Sequence, residues 1–182
     1  KKIFNLPLAL ISEIHHQEYR VVYCHTPNNE INPGDIFDLG NTYCFHTLHA
    51  NQPISFYHAG ESEIKDHPCY QAFGLESYIG VPLTVDGKLF GTLNFSGPEP
   101  SERPFTTREL DLIQLFSHWI SAELTRVKHK DRLLGQQSLM EEMAQQARIG
   151  VWEVDLVNNN VYWSKMTKVI HEVPNEYQPE LS

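Results

Sequence analysis

The sequence predicts an α+β fold in which a central antiparallel sheet carries helices on one face and loops with short helices on the other. Three observations lead there. Two β-rich runs, Ser77–Val85 and Lys88–Phe95, flank Asp86-Gly87; Asp-Gly between apolar runs is a strong hairpin signal because both residues tolerate positive φ. Shorter β-like runs precede this hairpin, and a long segment with apolar residues near helical spacing follows it.

From the N-terminus, Leu6–Ile14 and Glu18–Cys24 read as strands around the polar turn His15-His16-Gln17. Thr26–Gly40 contains Pro27, Asn28, Asn29, Pro33 and Gly34 and reads as a loop, the kind of segment that carries binding groups on a rigid sheet. Asn41 or Thr42 caps a short helix, Tyr43–Ala50. Gln52–Tyr57 is a third strand with Ile54 and Phe56 on one face. His58–Gly74 then forms a covering segment, with about one or two helical turns around His67–Phe73.

In the hairpin, Tyr78, Gly80, Pro82 and Thr84 share one face while Ile79, Val81, Leu83 and Val85 share the other, the latter set facing the long helix. The Gly and Pro residues of Ser96–Pro104 stop the strand. Thr106 or Thr107 caps the long helix, and Glu109 completes a capping box if Thr106 is the cap. Leu112, Ile113, Phe116, Ile120, Leu124 and Val127 mark its apolar face, and helix-forming sequence continues to about Ala147, weakened only at Gly135. From about Arg126 the charged, Gln-rich composition with an apolar stripe fits a coiled coil, and hence a parallel homodimer through this helix. A further shift at Ile149 opens a new domain: two short strands, Val151–Leu156 and Asn160–Ser164, and a helix, Lys165–Ile170.

The totals exclude several classes. With 182 residues, 41% hydrophobic and 20% charged, the chain is of ordinary globular composition, and its net charge of −9 without a basic patch argues against nucleic-acid binding. Cys24, Cys44 and Cys69 are widely spaced and form no CxxC pair, which fits a reducing, cytoplasmic setting. No run approaches the roughly 18 apolar residues of a spanning helix, so no membrane contact is expected. The ten histidines lack ligand spacing with carboxylates or thiolates, so no metal site is expected.

The order of elements resembles a GAF domain. The residues that carry the resemblance are Thr42–Leu48, Gly74–Leu83, Asp86–Phe95 and Arg103-Pro104-Phe105, and it covers about residues 3 to 128. GAF domains usually begin with a helix, whereas only Lys1–Asn5 precedes Leu6 here. The segment GVWEVDL, its polar turn and VYWS are similar to the start of a PAS domain. The resemblance thus implies a GAF domain at 1–128, a signalling helix linker at 129–147 and the N-terminal part of a PAS domain at 148–182. That order is similar to the sensory half of bacterial histidine kinases or diguanylate cyclases (GGDEF proteins).

The resemblance places a ligand pocket on the sheet face covered by Tyr43–Ala50 and His58–Gly74. Its candidate lining is Tyr43, Cys44, His46, Thr47, Phe56, Asp66, Tyr70, Phe73, Tyr78 and Asn94, aromatic walls with a few polar anchors. The ligand and cofactor remain unnamed. Bilin attachment is disfavoured because Cys69 is followed by Tyr70 rather than histidine, and lies too near Pro82. Cyclic-nucleotide binding is disfavoured because Asn94 is followed by Phe95 rather than lysine, and Phe105 leads to Glu109-Leu110 rather than Asp-Glu. The expected function is a non-catalytic sensory module that binds a small molecule and signals through a dimeric helix to an absent output domain. A ligand-free dimerisation scaffold is the alternative. A methionine sulfoxide reductase of the GAF type ranks below it, since the three cysteines do not reproduce that family's active-site set.

Overall fold

The computed structural model describes residues 3–27 and 30–180. Asn28 and Asn29 of the expected loop, and Lys1 and Lys2 ahead of the first strand, lie outside the described residues. The chain divides into two units, residues 1–126 and 127–182.

The first unit is built on a six-stranded antiparallel sheet. Its strands are β1 (Leu8–His15), β2 (Glu18–His25), β3 (Ile36–Asp38), β4 (Ile54–Phe56), β5 (Ser77–Val85) and β6 (Lys88–Gly97), in the order β3-β2-β1-β6-β5-β4. Helices α1 (Cys44–Ala50) and α2 (Pro68–Phe73) precede β5, and helix α3 (Thr107–Gln146) follows β6. The hairpin forms as its turn chemistry requires: Asp86 and Gly87 both take positive φ, 54° and 72°. A bulge at Leu83/Thr84 interrupts its register.

The alternation of β5 separates two cores. Ile79, Val81 and Leu83 pack with Leu93, Phe4 and Ile113, against which Leu110, Phe116, Ile120 and Leu124 of α3 also lie. Tyr78 faces the opposite way, with Tyr19, Tyr43, Cys44 and Cys69. Thr84 keeps the alternation of β5, since the extra residue of the bulge lies on β6, but it is exposed.

Three hydroxyls on one face of α3 hold the rim of β5. Ser117 Oγ donates to the Pro82 carbonyl (2.7 Å), the Thr84 amide donates to Ser121 Oγ (3.0 Å), and the Asp86 amide donates to Thr125 Oγ1 (3.4 Å). These residues recur every four positions and so share a helix face. Strand β4 begins opposite Gly80, so among the described residues no strand pairs β5 at Pro82 on that side; proline, lacking an N–H, is suited to such an edge. At the start of α3, Thr106 and Glu109 form the capping box: the Thr106 amide donates to Glu109 Oε2 (2.7 Å), and the Glu109 amide donates to Thr106 Oγ1 (3.4 Å).

Several local expectations are corrected. Thr26–Gly40 is not all loop: β3 pairs with Glu18–Arg20, its Ile-Phe-Asp run too short to show a period. The first strand starts at Leu8, after Pro7, and the last strand of the hairpin runs on to Gly97 opposite Ser77. Neither Asn41 nor Thr42 caps α1; Tyr43 holds that position without a side-chain bond, while the Thr42 hydroxyl donates to the Leu39 carbonyl (2.9 Å).

In the second unit, β7 (Trp152–Asp155) and β8 (Asn160–Trp163) pair as an antiparallel hairpin and α4 (Lys165–Ile170) follows. The Thr167 hydroxyl donates to the Val151 carbonyl (2.7 Å), tying α4 to the hairpin. Trp163 lies against His171 and Tyr177. No helix among the described residues is long and apolar enough to cross a membrane.

Candidate functional site

Between the Tyr78 face of the sheet and the segments carrying α1 and α2 lies a cavity of about 240 Å³. Five aromatic rings wall it, those of Tyr19, Phe37, Tyr43, Phe73 and Tyr78, together with Leu8, Leu10, Ile31 and Leu75. Thr26, Glu30, Thr42, Cys44, Cys69, Asn94 and Ser96 supply the remaining lining. Among the described residues, no lysine, arginine or histidine lines it.

The floor is a buried polar network centred on Cys44. Its sulfur accepts from the Thr92 hydroxyl (3.2 Å), the Asn94 amide (3.4 Å) and the Tyr78 hydroxyl (3.5 Å). The Asn94 amide also donates to the Tyr19 hydroxyl (3.1 Å), and the Tyr78 hydroxyl shares a 2.6 Å hydrogen bond with Thr47. Ser12 and Thr92 hydroxyls meet at 2.8 Å below it. Burial raises the Cys44 thiol and the Tyr19 and Tyr78 phenols above their ordinary pKa values, so the floor is uncharged at neutral pH. Burial pushes the Cys69 thiol up to about 12. Both cavity thiols are therefore weak nucleophiles.

Gly80 makes this floor possible. The Tyr78 ring lies forward along β5 over Gly80, where a methyl group would collide with the phenol oxygen. Above the cavity, the Tyr43 hydroxyl donates to the Leu75 carbonyl (3.0 Å), tying α1 to the chain just after α2. His67 caps α2 by accepting the Cys69 amide at Nδ1 (3.1 Å). Its ring lies 4.9 Å from that of His46, whose buried Nε2 has no partner among the described residues. Burial lowers the pKa of both histidines, and each is lowered further by a neighbouring histidine.

Of the ten expected lining residues, Tyr43, Cys44, Phe73, Tyr78 and Asn94 come together in the cavity. The other five do not line it. Thr47 is buried behind Tyr78, and Phe56 packs on the outer side of Tyr43 and Tyr78. His46 packs at a tilt against His67, and Asp66 is exposed. Tyr70 is turned to Glu76, donating its hydroxyl to that carboxylate at 2.6 Å, where the Gly60 amide also donates (2.9 Å). Sequence reasoning missed the contributions of β1 and β2, although the same alternation that assigns Tyr78 places Leu8 and Leu10 on one face. It also missed Ile31 and Phe37, which the expected loop concealed.

The family model of the GAF domain matches residues 5–124. No curated protein sequence matches the chain. Solved structures with the same fold include the blue-light absorbing form of the Thermosynechococcus elongatus PixJ GAF domain, with 16% identity, TM-score 0.55, and coverage of 72% of this chain and 81% of that one. Another is the GAF domain of a two-component sensor histidine kinase from Bacillus halodurans, with 10% identity, TM-score 0.53, and coverage of 70% and 86%. A third is free methionine-R-sulfoxide reductase from Neisseria meningitidis in complex with its substrate, with 13% identity, TM-score 0.53, and coverage of 69% and 72%. The sheet order, the cavity over its Tyr78 face and the matched residues agree: this chain belongs to the GAF domain family.

Proposed function

We propose that the chain is a regulatory, non-catalytic sensory module that binds a small molecule in the cavity and passes the event on through α3. The observation that carries this reading is the placement of β5 between the two. Tyr78 forms part of the cavity floor, while Pro82 on the same strand is held by Ser117 of α3. A ligand that repositions Tyr78 thereby acts on the strand that α3 grips, provided it favours one arrangement over the other. Related folds occur in a blue-light absorbing GAF domain and in that of a sensor histidine kinase, which supports a sensory role.

In this reading the second unit is the beginning of a PAS domain, and an output domain, a bacterial histidine kinase or diguanylate cyclase, lies elsewhere in the protein. The active form is a homodimer through α3, whose Leu115 and Trp119 stand 63% and 71% exposed. Native mass spectrometry of the purified chain tests the sensory reading. A bound small molecule lost on plugging the cavity supports it, and a cavity that accepts nothing from a broad metabolite set leaves the ligand-free dimerisation scaffold. The reductase fold neighbour favours no catalytic reading, because the buried Cys44 and Cys69 thiols are held protonated.

A further inference from the structure

We infer that the cavity takes a flat, mostly apolar molecule without negative charge that bears a hydrogen-bond donor, which is received by the carbonyl oxygen of Asn94. This inference deepens the sensory reading and rests on it. Three features of the cavity define the class.

The first is charge. Among the described residues, no cationic side chain lines the cavity, and Glu30 is its one acidic residue. A carboxylate or phosphate moved there would lose its water without gaining a partner, which is costly for any buried ion. Anionic ligands, nucleotides included, are thereby disfavoured. The second is shape and size. Aromatic rings from β2, β3, the N-cap of α1, α2 and β5 face a volume of about 240 Å³, below the usual range for drug-sized ligands, so the occupant is on the order of ten to fifteen non-hydrogen atoms. Offset and edge-on contacts with such rings favour a planar apolar body.

The third is polarity. Three donors of the floor are already committed: Thr92, Tyr78 and the Asn94 amide nitrogen all point at Cys44, and that nitrogen also meets Tyr19. With its nitrogen committed, Asn94 offers its carbonyl oxygen to a molecule in the cavity. An acceptor on the wall selects a ligand that brings a donor, such as a phenolic hydroxyl or an aromatic N–H.

Isothermal calorimetry on the full chain tests this with 2-naphthol, a neutral flat donor, and 2-naphthoate, its anionic counterpart. The expected result is saturable binding of 2-naphthol, with 2-naphthoate weaker by tenfold or more, roughly the cost of one unpaired buried group. Leu75→Trp, which places a large ring at the rim without touching the floor, abolishes 2-naphthol binding. Asn94→Leu weakens it about tenfold; should that variant fail to fold, 2-methylnaphthalene replaces it, lacking the donor and losing affinity by a similar factor. Equal or tighter binding of 2-naphthoate, or equal binding of 2-methylnaphthalene, overturns the inference while leaving the cavity a ligand site. Failure of 2-naphthol alongside a co-purified molecule released by Leu75→Trp overturns the ligand class alone. Failure of all probes with nothing co-purified overturns both the class and the sensory reading.

Discussion

The Ser117 hydroxyl donates to the Pro82 carbonyl at 2.7 Å, joining α3 to the strand that carries Tyr78 four residues earlier. Ser117→Ala leaves that carbonyl without its partner, at a cost of about 1–3 kcal/mol. Ser121→Ala costs less, because the Thr84 amide it frees is exposed to water. Urea unfolding of both variants checks the order. Equal midpoints for Ser117→Ala and the parent chain would show the contact to be idle.

Gly80→Ala forces the Tyr78 ring out of its place along β5. Overpacking of this kind costs about 1–3 kcal/mol. Here it also disturbs the bond to Thr47 and the floor around Cys44. The expected outcome is a lower unfolding midpoint together with shifted amide resonances for Thr47, Thr92 and Asn94. A spectrum changed only at residues next to position 80 argues against this arrangement.

The cap of α2 is sensitive to acid. His67 must be neutral at Nδ1 to accept the Cys69 amide, and burial, followed by the neighbouring His46, holds its folded pKa low. The contribution is therefore complete above the unfolded value of about 6.5 and is lost as pH falls through the lower folded value. His67→Asn keeps a capping oxygen that does not titrate. The difference in stability between parent and variant should be constant above about pH 7 and shift against the parent as pH falls toward about 5. A difference independent of pH across that window refutes the assignment.

Glu109 at the start of α3 behaves oppositely in range though not in sign. The Arg103 guanidinium and the Thr106 amide and hydroxyl hold its carboxyl down to about 2 despite partial desolvation. Its folded pKa is depressed, so its contribution is present above the unfolded value of about 4.3 and lost as pH falls toward the folded one. Glu109→Gln should therefore destabilise the chain at neutral pH and progressively less below about pH 4. Thermal melts at both ends of that range decide it.

If the dimer runs through α3, Trp119→Lys on its exposed face should shift the chain toward monomer. Light scattering at micromolar concentration measures this, with His118→Lys, the adjacent exposed position, as the control for added charge. A parent chain that is monomeric at that concentration removes the proposal.

The backbone plan was readable where chemistry is local. Asp86-Gly87 and the Thr106/Glu109 capping box act within about four residues, and both form. Period-two alternation likewise assigned Ile79, Val81 and Leu83 to the helix side. The cavity was half legible for a physical reason. Tyr43, Cys44, Phe73, Tyr78 and Asn94 sit on elements with clear patterns, but Tyr19, Ile31 and Phe37 reach it through strand pairings that no local signal announces. Tyr70 and His46 misled because an aromatic on a short helix has two faces to choose from; Glu76 and His67 made the choice.

The adjacency of β1 and β6 at the middle of the sheet sets a timetable for the cavity. Ser12 and Thr92, in contact beneath its floor, are 80 residues apart in sequence. Pairings of such separation form slowly because the intervening chain must first be closed into a loop. During synthesis the pairing at the middle of the sheet thus waits until β6 has emerged. The site comes into being only with the completed domain. A molecule that fills it acts on the folding equilibrium, drawing newly made chains toward the native state as its concentration rises.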